Sequence, residues 1–257
     1  MPEAPATHSQ RIEGGFDANL DFPFDDAGWG ALAKAINPAI TSYVDLDVLT
    51  TAMRQGLFDF SYLPSSSCYF LRGSPYRGIA SALTARTHRP SQSSVFVVAA
   101  ENPATSWHDL RGKRLGYINT YCTTSYFAPS IQLARDGLSL EDFFNAFPVA
   151  AWQGQIDAVV SGSIDATMVY EDVWLATPEN ARRTKILARL DDLPTPAFIV
   201  RSDLDAGIAD RLKHALLSLP AEGGPNVLYA GFAAYQDARM ERLFADLARL
   251  PGRAHAA

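Results

Sequence analysis

Cysteine is nearly missing, with only Cys68 and Cys122 in 257 residues. Neither sits in a Cys-x-x-Cys pair or a Cys/His spacing, so no metal site is expected, and two buried free thiols are the default. Basic runs are missing too. Twenty-two Lys and Arg face 28 Asp and Glu, for a net charge of −6 and a pI of about 5.3. Nucleic acid is therefore not an expected partner. No apolar run approaches ~18 residues, so no segment is expected to insert in a membrane. The N-terminal MPEAPATHSQRIEGG has no charged region followed by an apolar core, and so does not read as a signal peptide. That leaves a trimmed mature form with an added Met, or a cytoplasmic protein. GxSxG, HExxH, P-loop and GxGxxG signatures are all lacking. The five histidines (His8, His88, His108, His214 and His255) are scattered. No cofactor is expected, and His108 reads as an exposed turn residue.

What is present describes a folded chain: 47% hydrophobic and 11% aromatic residues, long enough for one large or two medium domains. Arg11 to Leu20 holds a first strand. Asp25-Asp26 then opens a helix that Asn37-Pro38 stops. Ala39 to Val44 is a strand, Asp47 to Gly56 a helix with a glycine end, and Phe58 to Leu63 an alternating strand. A Ser-rich loop, Pro64-Ser65-Ser66-Ser67-Cys68-Tyr69, lies at that strand's carboxyl end, where open α/β sheets bind ligands.

Ser94 to Ala100 is an apolar strand, and the crossover to a second lobe is placed after it, at Glu101 to Asp109. Further on, Leu138 to Phe144 and Trp152 to Ser161 read as helices and Ile164 to Tyr170 as a strand. Thus "AVVSG-x-IDATMVYE" repeats "TTAMRQG-x-FDFSYLP": helix, Gly, one residue, apolar-Asp, strand, polar strand end. Two such units, with Gly56 and Gly162 in corresponding places, suggest similar lobes facing one cleft. Lys185 to Leu190 and Ala197 to Arg201 are strands flanking the return crossover at Asp191 to Pro196. Ile208 to Leu219 and Met240 to Leu250 are helices assigned to the first lobe.

The chain is organised around Asp109 to Asp142, which reads as turn, strand, polar turn, helix. Asn119 to Ser125, containing Tyr121 and the run Thr123-Thr124-Ser125, crowds hydroxyls where the helix should open. A helix start carries unpaired N–H groups and the positive end of the helix dipole. With hydroxyl donors added, the turn suits an anionic oxygen cluster. The competing reading is that one of the three merely caps the helix.

The stretch W-x-DLRGKRLGYIN-x-x-x-TTSYFAPSIQL-x-x-x-G resembles the second-lobe opening of the phosphonate/phosphite/phosphate substrate-binding proteins of ABC transporters. The resemblance continues weakly from Asp45 to Leu204. It implies an α/β, two-lobed type 2 periplasmic-binding fold, each lobe a mainly parallel sheet flanked by helices, with the ligand cleft between lobes. The lobes would be residues 1–100 plus 195–257, and 101–194. Thr123, Thr124 and Ser125 match the family's phosphoryl-holding run, with Tyr126 where the family has Gly. Tyr69 matches its first-lobe aromatic. Trp152 stands where the family has a His, and Gln92-Ser93 where it often has a Tyr.

The function implied is a solute-binding protein that closes around a small phosphonate- or phosphate-like oxyanion for ABC-type uptake. The ligand set is Ser65, Ser66, Ser67, Tyr69, Tyr121, Thr123, Thr124, Ser125, Trp152 and Glu171. The partners are the small anion and an ABC permease, the chain is a monomer, and family resemblance places it in the periplasm. If Glu171 faces the cleft unpaired, the ligand must bring an amine. The alternatives are a cytoplasmic lyase or dehydratase on the same fold, with Glu171 as base or Cys122 as nucleophile, or a ligand sensor.

Overall fold

Each copy of the repeated helix-Gly-x-apolar-Asp pattern feeds a different sheet. The computed structural model describes residues 11–18, 20, 26–221 and 228–251; Asp25, His8 and His255 lie outside them. The chain opens with β1 (Ile12–Asp17), α1 (Asp26–Ile36), β2 (Pro38–Tyr43) and α2 (Leu46–Arg54). It continues with β3 (Phe60–Leu63), α3 (Ser65–Tyr69) and β4 (Tyr76–Thr84). The middle stretch starts with β5 (Ser91–Ala99), a 3-10 turn (Trp107–Leu110) and β6 (Arg114–Tyr117). A π-turn (Thr123–Phe127) then runs straight into α4 (Ala128–Arg135), followed by α5 (Leu140–Phe143) and β7 (Asn145–Pro148). Next come α6 (Trp152–Val160), β8 (Ala166–Tyr170), α7 (Glu171–Ala176), α8 (Pro178–Arg183) and β9 (Thr184–Pro194). The last elements are β10 (Ala197–Arg201), α9 (Ala206–Leu217), β11 (Tyr229–Ala234) and α10 (Asp237–Leu247).

One sheet has the order β11-β4-β10-β3-β1-β2, the other β7-β6-β8-β5-β9. Both are mixed rather than mainly parallel. β1 pairs in parallel with β2 and β3, but β10 and β4 run antiparallel to their neighbours. In the second sheet β6 is parallel to β7 and β8, whereas β5 is antiparallel to β8 and β9. β5 therefore belongs to the second sheet, and at the level of the sheets the chain crosses between Thr84 and Ser91 rather than after residue 100. The return crossing follows Pro194, and the two crossings run side by side because Ser91 pairs with Pro194.

The repeated Asp does the same work in each sheet. Asp59 Oδ2 accepts the Glu13 N–H at 2.9 Å, and Asp165 Oδ2 accepts the Arg114 N–H at 2.9 Å. Each carboxylate thus pins the start of its own strand to the start of the parallel neighbour. Each is also ion-paired, Asp59 with Arg201 at 3.1 Å and Asp165 with Arg114 at 3.0 Å. Hydrogen bonds from Arg114 hold Asp165 below the usual carboxylate range, so its tie outlasts that of a free carboxylate as pH falls. The glycines before the two Asp, Gly56 and Gly162, have φ of 72° and 73°, a helix-ending conformation that a side chain would strain.

The helix α10 straddles the two lobes. Met240 and Phe244 join the first-lobe cluster of Leu63, Cys68 and Leu71. Leu243 and Leu247 join the second-lobe cluster of Phe96, Ile131, Leu133 and Leu193. The expected assignment of this helix to the first lobe alone does not hold. α9, by contrast, packs on α1, β4 and β11 and stays with the first sheet.

A candidate anion site between two opposed helix starts

Both strand-to-helix turns that flank the cleft are polar, and they meet. The Ser-rich segment after β3 is a single helical turn, α3, rather than a loop, so its serines sit in the first turn. The opposing turn is capped by Cys122, whose Sγ accepts the Ser125 N–H at 3.3 Å. None of Thr123, Thr124 and Ser125 is the cap. All three instead occupy the first helical turn, where Tyr126 and Phe127 N–H both reach back to Cys122 O. Such π-turns are wider than an α-turn and frequently mark functional sites.

Across the junction Thr123 Oγ1 lies 3.1 Å from Ser66 N, 2.8 Å from Ser66 Oγ and 3.0 Å from Ser65 Oγ. Ser65 Oγ donates to Pro194 O at 2.9 Å, and Ser66 Oγ to Tyr121 O at 2.5 Å. Ser125 Oγ accepts the Ile118 N–H at 2.9 Å. Ser67 Oγ and Thr124 Oγ1 are fully enclosed and have no hydrogen-bond partner among the described residues. An enclosed hydroxyl without a partner costs about 1–3 kcal/mol. Two of them at facing helix starts call for acceptor oxygens.

The remaining predicted residues are placed differently. Tyr69 packs its ring on Phe70 and Phe244, with the Arg72 guanidinium 5.9 Å from its centroid. The Tyr121 side chain ties the lobes together instead, donating its hydroxyl to Asp47 at the start of α2. Trp152 is half-buried edge-on to Tyr170, 4.5 Å between centroids.

Glu171 neither faces the junction unpaired nor stands in solvent. Arg189 grips it through both carboxylate oxygens, and Arg86 approaches at 3.3 Å. Its side chain is 11% exposed against 48% for Arg86 and 45% for Arg189. With its charge met on two sides, it makes no demand for a ligand amine.

Three side chains next to the junction, Ser94, Gln92 and Tyr229, lie outside the predicted ligand set. Ser94 Oγ donates to Thr124 O at 3.2 Å. Gln92 Nε2 donates to Pro194 O at 3.1 Å, and Gln92 Oε1 accepts from Tyr229 at 2.8 Å. Ser65, Gln92 and Pro194 thus tie the hydroxyl cluster to the crossing strands. The signal was the polar head of β5, Ser91-Gln92-Ser93-Ser94, in front of an apolar run.

The thiols are free and buried, as the sequence reading expects. Burial pushes Cys68 up to about 12 and also raises Cys122, against the lowering effect of the N–H groups aimed at its sulfur. A thiol held protonated is no nucleophile at neutral pH, which removes the chemistry considered for Cys122. Replacing Cys68 by Ala and Cys122 by Ser should leave the fold intact, since Ser is itself a good cap. The melting temperature should fall equally in oxidising and reducing buffer. A fall confined to oxidising buffer would contradict the free thiols. His108 is an exposed turn residue stacked on Trp107 and paired with Asp136 at 3.0 Å.

Residues 33–243 match the family model described as ABC transporter, phosphonate, periplasmic substrate-binding protein. No curated protein sequence matches the chain. Among solved structures, XAC2383 from Xanthomonas citri bound to chloride is similar with a TM-score of 0.74 at 20% identity, covering 93% of this chain and 98% of that one. PhnD1 from Prochlorococcus marinus in complex with methylphosphonate gives 0.71 at 16% identity, covering 94% and 99%. A binding-protein component of an ABC phosphonate transporter from Pseudomonas aeruginosa gives 0.68 at 15%, covering 94% and 89%. These likenesses extend over the whole two-lobed, type 2 periplasmic-binding fold.

Proposed function

We propose a ligand and a binding geometry from the premise that this chain belongs to the phosphonate periplasmic substrate-binding protein family of ABC transporters. Membership makes it a solute-binding protein that takes a small anion and works with an ABC transporter. Among the described residues no helix is long and apolar enough to cross a membrane.

The ligand we assign is a compact phosphonate- or phosphate-like oxyanion, held by hinge closure between the two helix starts. The observation that carries this reading is the pair of enclosed, unpartnered hydroxyls, Ser67 and Thr124, on opposite sides of the junction. Ser125 lies in the same turn, where its hydroxyl accepts the Ile118 N–H and also reaches the Cys122 thiol. Neutral donors suit a small oxyanion, because buried hydroxyls and amides discriminate against any ligand lacking matching acceptors. An ammonium group on the ligand is not required, since Glu171 is already paired. Methylphosphonate, the ligand of PhnD1, is the first probe. An ABC permease as docking partner, the periplasm as compartment and a monomeric state complete the proposal.

A ligand at ~100 times its Kd adds about 2.7 kcal/mol, so the melting temperature should rise by about 5–10 °C. The panel is methylphosphonate, phosphite, phosphate, 2-aminoethylphosphonate, sulfate and acetate. No shift with any of them would end the anion reading. Thr124→Val is the matching variant. It removes a buried hydroxyl without changing shape, so the ligand-free protein should melt at the same temperature or higher. Affinity for methylphosphonate should fall about 10- to 150-fold, the worth of one hydrogen bond to a charged group. Unchanged affinity by calorimetry would move the site elsewhere.

A further inference from the structure

The proton inventory at the junction separates two groups of hydroxyls. A serine or threonine hydroxyl has one proton to donate and two lone pairs. Ser65 gives its proton to Pro194 O and Ser66 gives its proton to Tyr121 O. Both serine oxygens can then only accept from Thr123, which lies 3.0 and 2.8 Å away and has one proton for the two of them. Thr123 in turn accepts the Ser66 N–H. Every hydroxyl proton of Ser65, Ser66 and Thr123 is therefore committed inside the junction. None can be offered to an oxyanion without breaking a bond that joins one lobe to the other. Thr124 and Ser67 are the opposite case, enclosed with their protons uncommitted.

Ser65 and Ser66 follow β3 of the six-stranded sheet, whereas Thr123 follows β6 of the five-stranded sheet. Other side-chain ties near the cleft include the buried bond from Tyr229 to Gln92 at 2.8 Å, Tyr121 to Asp47, and Arg86 to Glu171 at 3.3 Å and to Asp172 at 2.6 Å. Arg86 is half exposed, and exposed pairs hold little. Thr123 is fully enclosed, so its bonds are shielded from competing water.

We propose that Thr123 is a bolt between the lobes, a positioning residue that sets the closed geometry, and that the ligand's oxygens are taken by Thr124, Ser67 and Ser125. The second half rests on the anion-binding reading; the first does not. The bolt stabilises the closed arrangement directly, and ligand affinity follows through the fraction of molecules that are closed.

The test compares Thr123→Val, Thr123→Ser and Thr124→Val with the parent, using small-angle scattering without added ligand and calorimetry with methylphosphonate. Circular dichroism first confirms that each variant is folded. Thr123→Val should enlarge the ligand-free radius of gyration, and saturating methylphosphonate should restore the parent's value. Thr123→Ser, which keeps the hydroxyl, should match the parent. Thr124→Val should leave the radius unchanged while weakening methylphosphonate at least tenfold. Equal ligand-free radii for the parent and Thr123→Val would overturn the bolt, as would equal expansion of the Val and Ser variants. Expansion of Thr123→Val alone, in a parent that binds none of the anions, would keep the bolt and dismiss only the anion reading.

Discussion

Ser125→Asp should bind methylphosphonate at least ~100-fold more weakly than the parent, a loss of about 2.7 kcal/mol. Ser125 is fully buried in the third position of a helix whose cap is Cys122. A carboxylate there meets the helix dipole favourably and can accept the Ile118 N–H that Ser125 now accepts. It also puts a fixed negative charge among the donors that the ligand's oxygens would use. Two unit charges ~4 Å apart repel by about 4 kcal/mol at an effective dielectric of ~20. If the turn only starts a helix, the same variant should leave binding untouched. Ser125→Ala separates charge from hydroxyl, because it removes one donor without adding repulsion. Isothermal titration of both variants, with melting curves to show that they are folded, decides the matter. Parent-like binding by Ser125→Asp would leave the turn a helix start and nothing more.

The second large effect concerns stability and lies far from the ligand. Asp59→Ala should lower stability by about 2–3 kcal/mol, or about 5–10 °C in melting temperature for a chain of this size. Asp59 is buried, and its carboxylate serves β1 through Glu13 N–H and β10 through Arg201. Removing it leaves a part-buried amide unpaired and takes one carboxylate from a mostly buried guanidinium, although Asp203 still holds Arg201 at 2.5 Å. Asp165→Ala should cost clearly less, because Asp165 and Arg114 are both more open to water. Chemical denaturation of the two variants should therefore rank them, with Asp59→Ala the weaker protein. Equal losses would mean that the buried and exposed copies of the motif contribute alike.

That motif is also where the sequence was most legible. Helix, Gly, apolar-Asp and strand follow from local rules: a left-handed glycine ends the helix and a strand-start carboxylate needs an amide. Both copies are present, one in each sheet. The Thr123-Thr124-Ser125 turn was legible for the same reason, since hydroxyls and a helix start are neighbours in sequence. Residues whose roles depend on distant partners were not. Glu171 is neutralised by Arg189, 18 positions away, and by Arg86, 85 positions away. Its local setting, at a strand end beside Tyr170 and Asp172, gave no hint of either.

α3 was missed because five residues, SSSCY, are too few to show helical spacing. β4, with the sequence YRGIASALT, was missed because its small residues carry little strand signal, although it lies between β11 and β10. The position of β5 was beyond reach for a different reason. An apolar run states that a strand is buried and leaves open which sheet buries it.

The helix α10 sets a limit on how the lobes can part. Its residues Met240 and Phe244 belong to one core, and Leu243 and Leu247 to the other. A stiff rod held on two bodies cannot follow both if they separate by translation. Its apolar side chains would be stripped into water on one side, at about 25 cal/mol per Å². Twisting about the rod's own line keeps both sets of contacts, as an axle does between two wheels. Swinging about that line is the motion the helix permits, and it is the motion that hinge closure of the cleft needs.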